Sequence, residues 1–519
     1  MILKWTLRGL FGLILVACLY IGNLFSDRPM SLNHFLAKEL LTQLFESPEV
    51  MTSVGLFDDF NWLTQHNDKL SLGSEEEALS RHAASLKRRD VLATFEEASL
   101  SPDEQITLAI AEFDVNNTID SFEQFRYHNF PFNQIGGAHL SLVEFMTDLH
   151  PINTVQQAWD FIRRVEQFNE ISEARLNWLQ RQAKQGIYPP DFVFGHVIRQ
   201  LSELIQLEDH PITTMFSQKT SELDLTAAQQ DALQSALAIA MNEHLVPGFD
   251  RLLKHFEETR PLANPHDGVW ALPNGAAYYA HRLKIYTTTD QTAEDIHQTG
   301  LEEVARIESR MLEILTHLGY DGNQSVGALM NGLNEDPKFL YPDTPDRKDK
   351  VIADYNQMVV DATETITPYF NRMPKAAVEV RAVPEYSEQN AAGGYYMSPS
   401  LDGSRPGVFY ANLYDIKQTP TYSMQTLAFH EAVPGHHLQN ALNQENESLS
   451  LYRKHGYYTS AYGEGWALYA ERLATEAGLL TSDYDELGVL QSELFRAVRL
   501  VVDTGLHHKR GLGKRPWPT

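Results

Sequence analysis

His430-Glu431-Ala432-Val433-Pro434-Gly435-His436-His437 is the stretch on which the reading of this 519-residue chain turns. A histidine followed at once by a glutamate, with further histidines close behind, is how zinc hydrolases of the His-Glu-x-x-His pattern write a metal site onto one helix. Here Pro434 stands where the second histidine of that pattern belongs. On a regular helix His436 is turned about 120° from the face of His430, and His437 lies about 10.5 Å further along the axis. Neither reaches a metal held by His430 at about 2.0–2.1 Å. But Pro434 has no N–H for the carbonyl of His430, and its ring collides with that carbonyl. Gly435 tolerates backbone angles that other residues avoid. The pair forces an irregularity, and a two-residue bulge puts His436 where the second ligand usually sits. His436 fits better than His437, which stays the alternative.

A catalytic zinc takes three protein donors and keeps one position open. The best third donor is Glu464, in Tyr462-Gly463-Glu464-Gly465-Trp466, far enough along for a turn and a return helix. Glu471 is its rival on the same helix face; an ion pair or a supporting bond to a ligand is its other reading. One zinc per chain is expected, on His430, His436 and Glu464. Glu431, next to a ligand and unable to chelate beside it, is the expected general base. Arg496, Arg499, Asp503 and His507 recur at helical spacing along one face. That stripe offers Arg499 for substrate binding and His507, oriented by Asp503, as a second catalytic group. A structural salt-bridge stripe is its bland alternative.

Residues 377–383 alternate as a strand and residues 407–412 form a short aromatic strand. A strand just before a zinc helix can hold an extended peptide by its backbone, which makes Tyr410 and Asn412 candidate substrate-binding residues. Residues 393–406 between them, rich in Gly, Ser and Pro, read as a loop. Elsewhere apolar residues recur at three-to-four spacing over 75–92, 154–185, 226–259, 292–318 and 348–370, with Thr226 and Thr292 as start signals. The fold class expected is mainly α, with a small β-sheet beside the zinc-binding helices. Pro261, Pro265, Pro273 and Gly275 suggest a boundary, dividing a helical region 27–270 from a catalytic region 271–519.

A chain that is 43% apolar and 21% charged folds as a globule. Its formal charge of −27 leaves no basic face for nucleic acid. Lys4 and Arg8 precede an apolar run, and no acidic residue comes before Asp27. Residues 1–26 therefore read as a secretory signal or a membrane anchor that places the rest outside the cytoplasm. Leu15-Val16-Ala17-Cys18 is like a lipobox, with Cys18 as the lipidated residue; an uncleaved anchor is the alternative. Cys18 is the single cysteine, so the remainder has no disulfide, thiolate metal site or cysteine nucleophile.

Three motifs taken together resemble the bacterial family known as domain of unknown function 885. They are His430-Glu431-x-x-Pro434-Gly435-His436-His437, Glu464-Gly465-Trp466-Ala467-Leu468-Tyr469, and Arg499-x-x-x-Asp503-x-Gly505-x-His507. Residues 398–407 and Leu272-Pro273-x-Gly275-x-x-Tyr278-Tyr279 add to it. That family is similar to gluzincin peptidases of the helical carboxypeptidase and oligopeptidase type. The resemblance implies a helical funnel with a zinc at its base, short peptides as substrates, and attachment to a membrane as an exported lipoprotein. Family members continue past the segment around His507 with further helices, whereas this chain runs into a basic Gly/Pro-rich tail, as after an early stop. The expectation is thus a zinc peptidase. The alternatives are a truncated relative that binds metal or peptide without turnover, or a zinc hydrolase of a non-peptide amide or ester. The sequence leaves the oligomeric state open.

Overall fold

In the computed structural model, the residues described are 16–511, apart from 56, 59, 60, 207, 385–387, 389–390, 401–404, 416 and 418. They are mainly helical, with one three-stranded sheet among them. The chain divides into two compact units, Met1–Tyr278 and Tyr279–Thr519. The division falls inside the helix Gly275–Thr287 and not in the Pro/Gly cluster before it.

The first unit is built of helices around Phe161, Phe168, Phe194, Phe216 and Phe249, all buried. The helix Glu75–Leu92 has the bounds its periodicity predicts, opened by a Ser74/Glu77 capping box. Residues 154–185 form two helices, Val155–Glu166 and Phe168–Lys184, where the pattern reads as one. Gln167 sits at the joint, and its side chain donates to the carbonyls of Asp68 and Arg163 and accepts from the N–H of Leu70. Residues 226–259 are likewise interrupted, by a wide π turn at Met241–Leu245. Pro247 has no N–H for the preceding turn, and the helix widens to accommodate it.

The second unit carries the motifs. Helix α1 (Ala293–His317) starts at a Thr292/Asp295 capping box, and α2 (Arg347–Ile366) follows. Strands β1 (Val378–Ala382), β2 (Gly394–Met397) and β3 (Gly407–Ala411) come next. They lie in the order β1-β3-β2, with β1 parallel and β2 antiparallel to β3. β2 corrects the reading of 393–406 as loop. Its four residues, Gly-Tyr-Tyr-Met, are too few for alternation to stand out beside a Gly/Ser/Pro stretch. Then come α3 (Thr421–Glu431), α4 (His436–Glu445), α5 (Ser460–Glu476) and α6 (Asp483–His507).

α3 is central. On one side Met424 and Ala428 pack with Phe409 and Ala411 of β3 and with Val351, Tyr355 and Val359 of α2. On the other, Gly488 of α6 lies so close that a Cβ there would sit 2.2 Å from the carbonyl oxygen of Tyr422. Glycine is thus what lets α6 reach α3. Met424 is fully buried, worth about 1.5–3 kcal/mol. A helix clamped on both sides presents its C-terminal His430-Glu431 from a fixed platform.

Candidate metal centre

α3 ends at Glu431, residues 432–435 turn, and α4 begins at His436. The expected bulge within one helix is therefore a break between two helices. The N–H of His437 bonds back to Ala432 O at 3.1 Å. The Val433–Pro434 peptide is cis. Trp466 of α5 donates its Nε1–H to Pro434 O at 2.9 Å and pins the turn from outside. A Cβ on Gly435 would lie 1.9 Å from His430 O and 2.3 Å from Phe429 O. Gly435→Ala is accordingly expected to destabilise the chain by about 3 kcal/mol and to lower its metal content. Thermal unfolding and metal analysis check both; a variant as stable and metal-rich as the parent contradicts the packing.

The turn brings His436 back beside His430, with ring centroids 4.8 Å apart and planes at 87°. Glu464, on the first turns of α5, faces both: its Oε2 is 3.5 Å from His430 Nε2 and 3.8 Å from His436 Nε2. One donor atom from each of the three lies within 4.8 Å of the others. His437 points elsewhere. Its Nδ1 accepts from Tyr396 Oη at 2.9 Å and its Nε2 donates to Ala376 O at 3.1 Å. Both ring nitrogens are thereby used, and burial lowers its pKa to about 4.

Behind the cluster lies Glu471, only 1% exposed, with Oε1 2.8 Å from His430 Nδ1. Arg496 Nη2 is 3.1 Å from the same oxygen and 3.0 Å from the same Nδ1. Because Nδ1–H is directed at Glu471, the guanidinium bond goes to the carboxylate. Glu471 is thus the support of His430, and Glu464 takes the place in the donor cluster. Burial works against charge on His430, but Glu464 and Glu471 outweigh it and lift its pKa to about 9. Glu464 is held below the usual carboxylate range, chiefly by its bond to His430. Glu431 is 6% exposed, and burial pushes its carboxyl up to about 7.

His430, Glu431, His436 and Glu464 line a cleft of about 350 Å³ whose other wall includes Gly394, Tyr395 and Tyr396 of β2, with Tyr458 also lining it. The remaining expected site residues stand apart from it. Asn412 is 2% exposed, and its amide donates to Glu388 O and Ala391 O while its Oδ1 accepts from the N–H of Tyr414. That side chain is spent on holding a loop, which corrects its reading as a substrate-binding residue. Tyr410 stacks on its cross-strand partner Tyr395 with centroids 4.9 Å apart and does not itself line the cleft. Arg499 is exposed on α6 with its guanidinium over Phe495, and it is Arg496, one turn earlier, that meets the site. His507 packs beside Tyr279, which donates to Asp503 at 2.5 Å. Neither Arg499 nor His507 lines the cleft among the described residues. Tyr396 and Tyr458 were not legible as site residues: one lies in the supposed loop and the other in a stretch without periodicity.

Cys18 is exposed and unpaired, on a helical stretch 16–23. No helix of the described residues is long and apolar enough to cross a membrane; residues 1–15, with Lys4, Arg8 and most of the apolar run, lie outside them, as do residues 401–404 and the tail 512–519.

The chain is similar in structure to a candidate lipoprotein of Colwellia psychrerythraea, with a TM-score of 0.78 and 32% identity over 91% of this chain and 84% of that one. A candidate lipoprotein of unknown function from Shewanella oneidensis shares the fold, with a TM-score of 0.68 at 16% identity over 92% of this chain and 84% of that one. No curated protein matches. The family model for bacterial proteins of unknown function, DUF885, matches residues 48–512, nearly the whole length, and the chain belongs to that family.

Proposed function

We propose that this chain is a zinc-dependent hydrolase of short peptides, acting outside the cytoplasm and attached to a membrane through its N-terminal segment. The observation that carries the reading is the convergence of His430, His436 and Glu464 within 4.8 Å, beside the buried carboxyl of Glu431. Bonds of about 2.0–2.1 Å in a tetrahedron need donors about 3.4 Å apart. The 3.5 and 3.8 Å separations from Glu464 to the two histidines are near that value, and the three donors lie within 4.8 Å of one another. With zinc bound, His430, His436 and Glu464 would form a gluzincin-like donor set, with a Pro-Gly turn between its histidines.

Zinc held by His430, His436 and Glu464 would supply a water of lowered pKa and polarise a carbonyl. Glu431 takes the proton of the attacking water and then releases it to the leaving amine. Glu471 fixes the ring of His430 through Nδ1 and keeps Nε2 directed at the donor cluster. Arg496 balances the buried charge of Glu471. β2 is an edge strand on the cleft wall, so an extended peptide can pair with its backbone while Tyr395 and Tyr396 flank the side chains.

Export is supported by Lys4, Arg8 and the apolar run, and lipidation at Cys18 by the lipoprotein description of the Colwellia relative. The test of activity is hydrolysis of a short-peptide set by the purified chain. Chelation should lower the rate at least about 100-fold, and one equivalent of zinc should restore it. Rates indifferent to chelation contradict the proposal. Binding of zinc without cleavage would favour a non-catalytic relative, and cleavage of simple esters or amides alone would move the substrate class.

A further inference from the structure

The unit Met1–Tyr278 holds a second cavity, of about 280 Å³. One side is apolar, with Phe132, Phe145, Ile171 and Phe249; the other carries Glu49, Ser71, His139 and Arg175. The guanidinium of Arg175 lies flush on the backbone of Gly73, where a Cβ would sit 2.0 Å from its Cζ. Gly73 has φ +65°, so the chain there is shaped to admit the guanidinium. Yet Arg175 Nε is buried with no hydrogen-bond partner among the described residues.

The counter-charges that Arg175 feels are those of Glu77 and Glu49, and both are engaged elsewhere. Glu77 accepts from the N–H groups of Leu72 and Gly73 at 3.0 and 2.7 Å. Glu49 accepts from the N–H and hydroxyl of Ser71 at 2.7 and 2.8 Å, which leaves lone pairs on both oxygens. His139 is 1% exposed. Gln200 donates through Nε2 to Gln134 O, so its Oε1 is the acceptor for His139 Nε2–H at 3.0 Å. The Nδ1 of His139 is then a bare acceptor, buried and without a partner. Arg175, without a free carboxylate partner among the described residues, and Glu49, with spare lone pairs, thus share one small cavity with an aromatic wall.

We propose that this cavity binds a free α-amino acid with an apolar side chain. Its carboxylate lies on the guanidinium of Arg175, its ammonium on Glu49, and its side chain against Phe132, Phe145 and Phe249. A cavity near the small end of the range for ligand sites suits a molecule of that size. The site is independent of the zinc reading, and a chain without metal should bind equally.

Calorimetric titration of the full chain with L-leucine and L-phenylalanine tests it. At least one should bind saturably. For the aromatic ligand, 3-phenylpropionate, which lacks the ammonium, and phenethylamine, which lacks the carboxylate, should each bind at least about tenfold more weakly. Arg175→Met and Glu49→Gln should weaken the amino acid by a similar factor, with circular dichroism confirming that they fold. The analogue series on the parent chain decides the matter even if a variant does not fold. No saturable binding of either amino acid at millimolar concentration, or analogues that bind as tightly as the amino acid, overturns the proposal.

Discussion

Glu431→Gln is expected to lower kcat by about 10²–10⁴-fold while the chain keeps its zinc. The substitution preserves volume at a site only 6% exposed, so packing changes little. It removes the group that takes a proton from water, because an amide oxygen cannot hold that proton. Glu431 lies outside the His430, His436 and Glu464 cluster, so metal content should stay near one per chain. Initial rates and elemental analysis on the same preparation separate the two effects. A variant within tenfold of the parent rate removes Glu431 as the base, and a variant that loses its metal makes it a holder of the site instead.

Glu471→Ala is expected to cost about 3–5 kcal/mol of stability and about 10–100-fold in metal affinity. The carboxylate is 1% exposed and receives both His430 Nδ1–H and Arg496. Without it the guanidinium and the imidazole are left facing each other with no acceptor, and the ring is free to turn. Glu471→Gln keeps one acceptor oxygen and should lose less of both. Urea unfolding gives the first quantity and competition with a chromogenic chelator the second. If neither moves, the bond to His430 is incidental. The two substitutions act on opposite sides of the cluster: one should change the rate and keep the metal, and the other should weaken both the metal and the fold.

What the sequence made legible was local. The helix Glu75–Leu92 and the starts at Thr226 and Thr292 follow from periodicity and capping chemistry within a few residues. The grouping of His430, His436 and Glu464 followed from motif spacing plus the need for a third donor. The preference for His436 over His437 followed from the local Pro434-Gly435 geometry, whereas the bonds of Tyr396 and Ala376 that occupy both nitrogens of His437 come from distant parts of the chain. Arg496 over Arg499 was not local: both lie on α6, and only packing against α3 and α5 decides which guanidinium meets Glu471. Asn412 looked like a substrate contact because it closes an aromatic strand, whereas its amide is consumed by two loop carbonyls. β2 was hidden because a four-residue edge strand is defined by its partner, β3, more than by its own pattern.

His430, His436 and Glu464 are proposed to hold one zinc. Elemental analysis of the purified full chain, after dialysis against limiting zinc, tests this most directly. About one zinc per chain is expected in the parent and near zero in both His430→Ala and His436→Ala, with His437→Ala retaining it. A parent chain with no bound transition metal, or a His436→Ala variant that keeps a full equivalent, would contradict it.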